Sequence, residues 1–210
     1  MFKDLTVEEF LQNLGEGSAT PGGGTAAAIS GAMGASLISM FCRVTAGRKK
    51  YAEIKGEMEK IASEVDKWRE KLIKLADEDS NSYIEVMNAF KLPKDTEEEK
   101  SIRAEKIEVA SQRATEVPFE TAIVILPILE KVSSLANKGN PNAISDLKVG
   151  LELCHTGFIG AISNVEINLP TLNDKEFSRE IKEKMMEAQV RAQKAVDEGR
   201  ESIFNIFEQY

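Results

Sequence analysis

The residue types and spacing best suited to chemistry meet at Asp79. Met58, Ile61, Val65, Trp68, Leu72 and Leu75 follow one another by steps of three and four, the spacing of a single packed helical seam, and the next step lands on a carboxylate. Asp77 points to the opposite side of that helix and Glu78 lies about a hundred degrees away, so only Asp79 of the three acids is carried into the packed face. A carboxylate there must be paired, be protonated or line a cavity. Burial raises its pKa toward the range in which it can take and return a proton near neutrality. The plainer alternative is an aspartate that satisfies a neighbouring helix end or a buried arginine.

A second candidate is the turn Thr20-Pro21-Gly22-Gly23-Gly24-Thr25. Gly22, Gly23 and Gly24 bare their backbone N–H groups, and at a helix N-terminus they form a seat for an anionic or polar ligand. Gly22 to Ala27 formally fits G-x-G-x-x-A, but that fingerprint requires a preceding strand, and here a helix precedes it. A phosphate-binding P-loop is excluded because no Lys-Ser/Thr pair follows. What remains is a tight helix start, structural or ligand-contacting. Arg48, Lys49 and Lys50 complement a helix dipole or recognise substrate carboxylates. His155, the single histidine, lies beside Cys154 on an apolar stretch and reads as a satisfied core residue, and no zinc-ligand set surrounds it. Asn140, Ser145, Asp146, Asn164 and Asn168 form a polar flank; caps and turns account for some, Asp146 and Asn164 least readily.

The elements that must position these groups read as helices throughout. Thr6 and Glu9 make a capping box for a short helix carrying Phe10, Leu11 and Leu14. The second helix spans 25–44. Ala27, Gly31, Ala35 and Ser39 form a small face, and Ile29, Met33, Leu37 and Phe41 a larger apolar one, which predicts a helix buried on every side. The Asp79 seam belongs to a third helix over 54–90, ended by Pro93. Thr96 and Glu99 cap a fourth, broken at Pro118 where a fifth begins, kinked at Pro127 and closing at Gly139. Asn140-Pro141 starts a sixth helix over 141–163. The stretch 165–169 alternates like a strand but is solitary, so it reads as a helix end plus turn, and a last amphipathic helix follows Asp174. Long helices on short connections make an all-α, multihelical bundle with a buried small-residue central helix, one domain over 1–210.

Composition narrows the partners. A formal charge of −8 and a pI near 5.0 argue against nucleic acid, and no polybasic tract suits a membrane surface. The uncharged run from Gly17 to Cys42 is rich in Ala, Gly, Ser and Thr, which favours a buried helix over a membrane span. Cys42 and Cys154 read as buried reduced thiols, and with no signal-peptide pattern at the N-terminus the expected home is cytoplasmic.

Several short motifs occur in one order: Pro21-Gly22-Gly23-Gly24-Thr25, Gly47-Arg48-Lys49-Lys50-Tyr51, Asp77-Glu78-Asp79, Leu92-Pro93-Lys94, Val117-Pro118, Gly139-Asn140 with Ser145-Asp146-Leu147, and Gly160-Ala161 with 164–169. Over nearly the whole chain this order resembles the cyclodeaminase domain of formiminotransferase-cyclodeaminase, a family that includes methenyltetrahydrofolate cyclohydrolases. The formiminotransferase part of the fused animal enzymes has no counterpart in the sequence. The resemblance implies an all-helical subunit, commonly a homodimer, that converts 5-formiminotetrahydrofolate to 5,10-methenyltetrahydrofolate and ammonia without metal or redox cofactor. It puts the family's proposed catalytic aspartate on Asp79. It also suggests Gly22, Gly23 and Gly24 as a wall of the folate site, Arg48 and Lys49 as holders of the glutamate or polyglutamate tail, and Asp146 and Asn164 as pterin hydrogen-bonding groups. Two other outcomes stay open: a cyclohydrolase, in which water attacks the same bridging carbon, and a non-enzymatic helical interaction module.

Overall fold

The computed structural model of the chain describes residues 1–208, which fold into six α-helices with no strand among them. Helix α1 (Val7–Gly15) opens on the Thr6–Glu9 capping box, and α2 (Gly23–Ala46) on the glycine turn. A short 3₁₀ segment, Lys49–Ile54, leads into α3 (Lys55–Phe90). Helix α4 (Glu97–Lys138) starts at the Thr96–Glu99 box. After a 3₁₀ turn at Pro141–Ala143 comes α5 (Ile144–Asn168), and after another at Leu169–Thr171 comes α6 (Lys175–Phe207), capped by Asp174. The 165–169 stretch is therefore the end of a helix and a turn, as its isolation from any other strand-like segment predicts.

Helix α2 lies in a trough between α3 and α5, with α4 beneath. It runs antiparallel to both neighbours: Ser39 reaches Ala62 while Thr25 reaches Ala76 on α3, and Gly34 meets Cys154 while Ala27 meets Gly157 on α5. The small side chains allow this approach. A Cβ at Gly34 would stand 2.5 Å from the Cys154 Sγ, and one at Gly157 would stand 2.7 Å from the Ala27 carbonyl oxygen. Ala27, Gly31, Ala35 and Ser39 are all buried, as is Phe41. By length and composition α2 could cross a membrane, yet 67 % of its most apolar window is buried inside the fold.

Two expectations fail here. Helix α2 is not buried on every side: Met33, from the larger apolar face, and Met40 and Val44 outside it are 49 %, 38 % and 36 % exposed, because α3, α4 and α5 cover only three sides of the helix. Pro118 does not divide two helices either; α4 passes unbroken through Pro118 and Pro127. A proline frees the carbonyl four residues earlier. For Pro118 that is Ala114, whose oxygen accepts a 2.8 Å hydrogen bond from Asn168 Nδ2 on α5. A tertiary contact thus supplies the donor that the proline lacks.

Cys42 and Cys154 are buried, unpaired thiols. Desolvation pushes Cys42 up to about 12 and Cys154 higher still.

Candidate active site

Asp79 faces the first turn of α2. Thr25 Oγ1 donates to Asp79 Oδ2 at 2.9 Å and lies 3.1 Å from Ser80 Oγ, and Ser82 Oγ donates to the Asp79 carbonyl at 2.8 Å. The carboxylate presses on Gly24 so closely that a Cβ there would stand 2.1 Å from Oδ1. No cation contacts it among the described residues. Burial raises its pKa above the ordinary aspartate value, and the Thr25 hydroxyl and backbone hydrogen bonds oppose that rise. Of the three outcomes open to a carboxylate in this seam, the third holds: Asp79 lines a cavity.

That cavity, about 300 Å³, occupies the trough beyond the point where α2 stops. Gly22, Gly23 and Gly24 form one wall, with Gly22 at the N-cap and no side-chain cap on the first N–H groups of α2. Helix α3 adds Asp79, Ser82, Tyr83, Val86 and Phe90; α4 adds Ile107, Ser111 and Ala114; α5 adds Asn164 and Asn168. Asn164 Nδ2 donates back to the Gly160 carbonyl at 2.8 Å, which fixes the side chain beside Gly23. Among the described residues Asp79 is the only carboxylate in the lining, and no Lys, Arg or His joins it. At the Phe90 edge Arg103 stacks on the Phe90 ring and donates to its carbonyl through Nε and Nη2.

Of the residues singled out in the sequence, Gly22, Gly23, Gly24, Asp79 and Asn164 come together here. Arg48, Lys49 and Asp146 do not. Arg48 and Lys49 follow the C-terminus of α2, whose 24 residues separate them from the glycine turn by about 36 Å. Asp146 sits in the first turn of α5, and because α5 is antiparallel to α2 it lies at that same distant end. His155 is half-buried beside Arg200, at 3.3 Å, rather than enclosed in the core. Val86 continues the Asp79 seam, whereas Tyr83 and Phe90 do not stand out in the sequence, although all three follow Asp79 at four, seven and eleven residues and so share its helical face. Asn168 was seen only as part of a polar flank; its pairing with the Ala114 carbonyl depends on where α5 meets α4.

The sequence profile of formiminotransferase-cyclodeaminase matches residues 6–187. The chain belongs to that family. It is 41 % identical over 175 residues to a methenyltetrahydrofolate cyclohydrolase of Methylorubrum extorquens, covering 83 % of this chain and 84 % of that protein. It is 33 % identical over 174 residues to the mouse formimidoyltransferase-cyclodeaminase, covering 83 % of this chain but only 32 % of the mouse protein, so it spans about a third of that longer relative. The fold matches the solved formiminotetrahydrofolate cyclodeaminase of Thermotoga maritima with a TM-score of 0.89 at 28 % identity, over 99 % of this chain and 100 % of that one. The family is one of folate one-carbon enzymes, and its all-helical fold is the one described above.

Proposed function

We propose that this protein is a formiminotetrahydrofolate cyclodeaminase whose proton-transfer group is Asp79. The observation that carries the reading is a single uncompensated carboxylate, held by Thr25 against a glycine wall in a half-apolar cavity. Ring closure needs little more than that, because the substrate supplies its own nucleophile. N10 attacks the carbon of the formimino group, whose exocyclic nitrogen is protonated, forming the C–N10 bond while the C=N electron pair moves to that nitrogen. Asp79 takes the N10 proton and delivers it to the departing NH₂, so that ammonia leaves and the N5–CH–N10 cation remains. The cavity's part is to keep N10 and the carbon in attack geometry. Tyr83, Val86 and Phe90 offer the pterin and aryl rings an apolar surface, with Asn164 as a polar contact. This chemistry asks for no metal or redox cofactor, and we read the working form as a homodimer in the cytoplasm.

A second reading is favoured by the 41 % identity, over most of both chains, to a methenyltetrahydrofolate cyclohydrolase. There Asp79 would take a proton from water attacking the same carbon. Purified protein given 5-formiminotetrahydrofolate should generate the absorbance of the methenyl product and release ammonia. Loss of that absorbance from supplied methenyltetrahydrofolate, with no reaction of the formimino compound, would transfer the assignment to the hydrolase. Asp79→Asn should lower kcat by about 10²–10⁴-fold with the fold intact. A variant with near-parental turnover would remove Asp79 from the mechanism.

A further inference from the structure

The two asparagines in the cavity wall have spent only half of their hydrogen-bonding capacity. Asn164 Nδ2 donates to the Gly160 carbonyl and Asn168 Nδ2 to the Ala114 carbonyl, both at 2.8 Å. A carbonyl accepts only from the nitrogen of an amide, so each bond fixes which end of its side chain is which. The two Oδ1 atoms are left as acceptors, and neither receives a hydrogen bond among the described residues. Ser111 on α4, only 7 % exposed, is in the same condition: its backbone carbonyl takes the Thr115 hydroxyl, while its own Oγ has no partner among the described residues. None of the three oxygens is sealed in protein, since the one fully enclosed polar side-chain atom without a partner among those residues is Asp77 Oδ2. All three belong to the cavity lining, and the cavity is the space they open on.

The three oxygens gather where α4 and α5 converge. Asn164 and Asn168 are one turn apart on α5, and Asn168 reaches α4 at Ala114, three residues from Ser111. Asp79 stands on the other side of the glycine turn. Asn164 packs against Gly23 and Asp79 against Gly24, consecutive residues with Cα atoms about 3.8 Å apart. Thr25 directs its hydroxyl and its backbone N–H at Asp79, so these donors do not serve the asparagines. A half-buried acceptor without a donor is costly. A group entering this end of the cavity must therefore bring N–H or O–H donors, and beside an unpaired carboxylate it is favoured by positive charge.

We propose that Asn164 Oδ1 and Asn168 Oδ1, with Ser111 Oγ beside them, form the subsite for the exocyclic nitrogen of the formimino group and select it over the oxygen of a formyl group. The inference rests on the cyclodeaminase reading. As a protonated amidine the formimino group carries two N–H donors and a positive charge at that nitrogen. A formyl group of the same shape puts a bare oxygen there, whose lone pairs face those of the asparagines. The subsite also steers the proton. Once N10 has attacked, the exocyclic NH₂ keeps its two N–H bonds on the asparagine oxygens, and its new lone pair turns away from them toward Asp79. The proton that Asp79 took from N10 goes to that lone pair. The C–N bond then breaks with its electron pair on the nitrogen, and NH₃ departs with Ser111 Oγ accepting its third N–H.

Equilibrium binding tests the subsite without turnover. Asp79→Ala removes the proton carrier and adds no hydrogen-bonding group, so calorimetry on this variant can compare 5-formiminotetrahydrofolate with 5-formyltetrahydrofolate. The formimino compound should bind about a hundredfold more tightly, about tenfold for each asparagine oxygen that it pairs. Adding Asn164→Ala or Asn168→Ala should lower that preference about tenfold, in protein that thermal melts show to be folded. Asn164→Asp is the decisive companion, because it keeps an acceptor but gives up the bond to the Gly160 carbonyl. It should hold the preference at or above the level seen with Asn164. A preference that falls as far with aspartate as with alanine would reduce Asn164 to a helix support and overturn the proposal. So would binding of the two compounds within about threefold of each other in Asp79→Ala, or a preference that neither alanine variant moves. Binding of neither compound would remove the folate reading, and the subsite with it. If Asp79→Ala still turns over the formimino compound, Asp79 leaves the mechanism, and inhibition of that turnover by the formyl compound still decides the subsite.

Discussion

Gly24→Ala isolates the contact on which the catalytic reading depends. The added Cβ would stand 2.1 Å from Asp79 Oδ1, 2.6 Å from Cγ and 2.8 Å from Oδ2. Ordinary contact begins near 3.4 Å, so the carboxylate must withdraw by 3.4 − 2.1 = 1.3 Å along that line. It gives up its Thr25 hydrogen bond in doing so. Misplacing a reacting group by about 1 Å costs about 10² in rate, so kcat should fall about a hundredfold. Stability should change little. The lost hydrogen bond costs about 0.5–1.5 kcal/mol, and alanine returns up to about 1 kcal/mol of helix propensity. The melting temperature should therefore stay within a few degrees, at about 2–4 °C per kcal/mol for a chain of this size. Gly23→Ala is the control: its Cβ would meet Asn164 Nδ2 at 3.5 Å, an ordinary contact. Steady-state kinetics and thermal melts of the two variants decide the matter. A Gly24→Ala enzyme with kcat within about threefold of the parent would refute the reasoning, because the carboxylate would then not be positioned by that wall.

Thr25→Val removes the hydroxyl that opposes the raised pKa of Asp79, so the acid limb of the pH–rate profile should move to higher pH; an unmoved limb would detach Thr25 from Asp79. Because the folded-state pKa of Asp79 lies above its unfolded value, the unfolded chain loses this proton first as pH rises. Asp79→Asn should therefore be more stable than the parent near neutrality and lose that advantage below about pH 4, as thermal melts across pH would report. Asn168→Ala strips the donor from the Ala114 carbonyl and should cost about 1 kcal/mol, or 2–4 °C; the cost should shrink in a Pro118→Ala background, whose restored N–H can serve that carbonyl. Cys42 and Cys154, buried with raised pKa, should resist alkylation until the protein is denatured, and rapid labelling of the native chain would contradict their burial.

The sequence alone determined the helices and the catalytic candidate, because both are set by local periodicity. Capping boxes at Thr6–Glu9 and Thr96–Glu99 begin helices where their spacing predicts, and Asp79 falls in a seam that can be counted residue by residue. Periodicity says nothing about what covers a helix. The open side of α2, the apolar wall of Tyr83, Val86 and Phe90, and the passage of α4 through Pro118 depend on which elements meet, and only the tertiary structure decided them. It also decided the distance between the groups. Within one subunit Gly24 and Asp79 touch, although 55 positions separate them in sequence, whereas Arg48 and Lys49, closer to the glycine turn along the chain, are held a whole helix away by the rigid rise of α2.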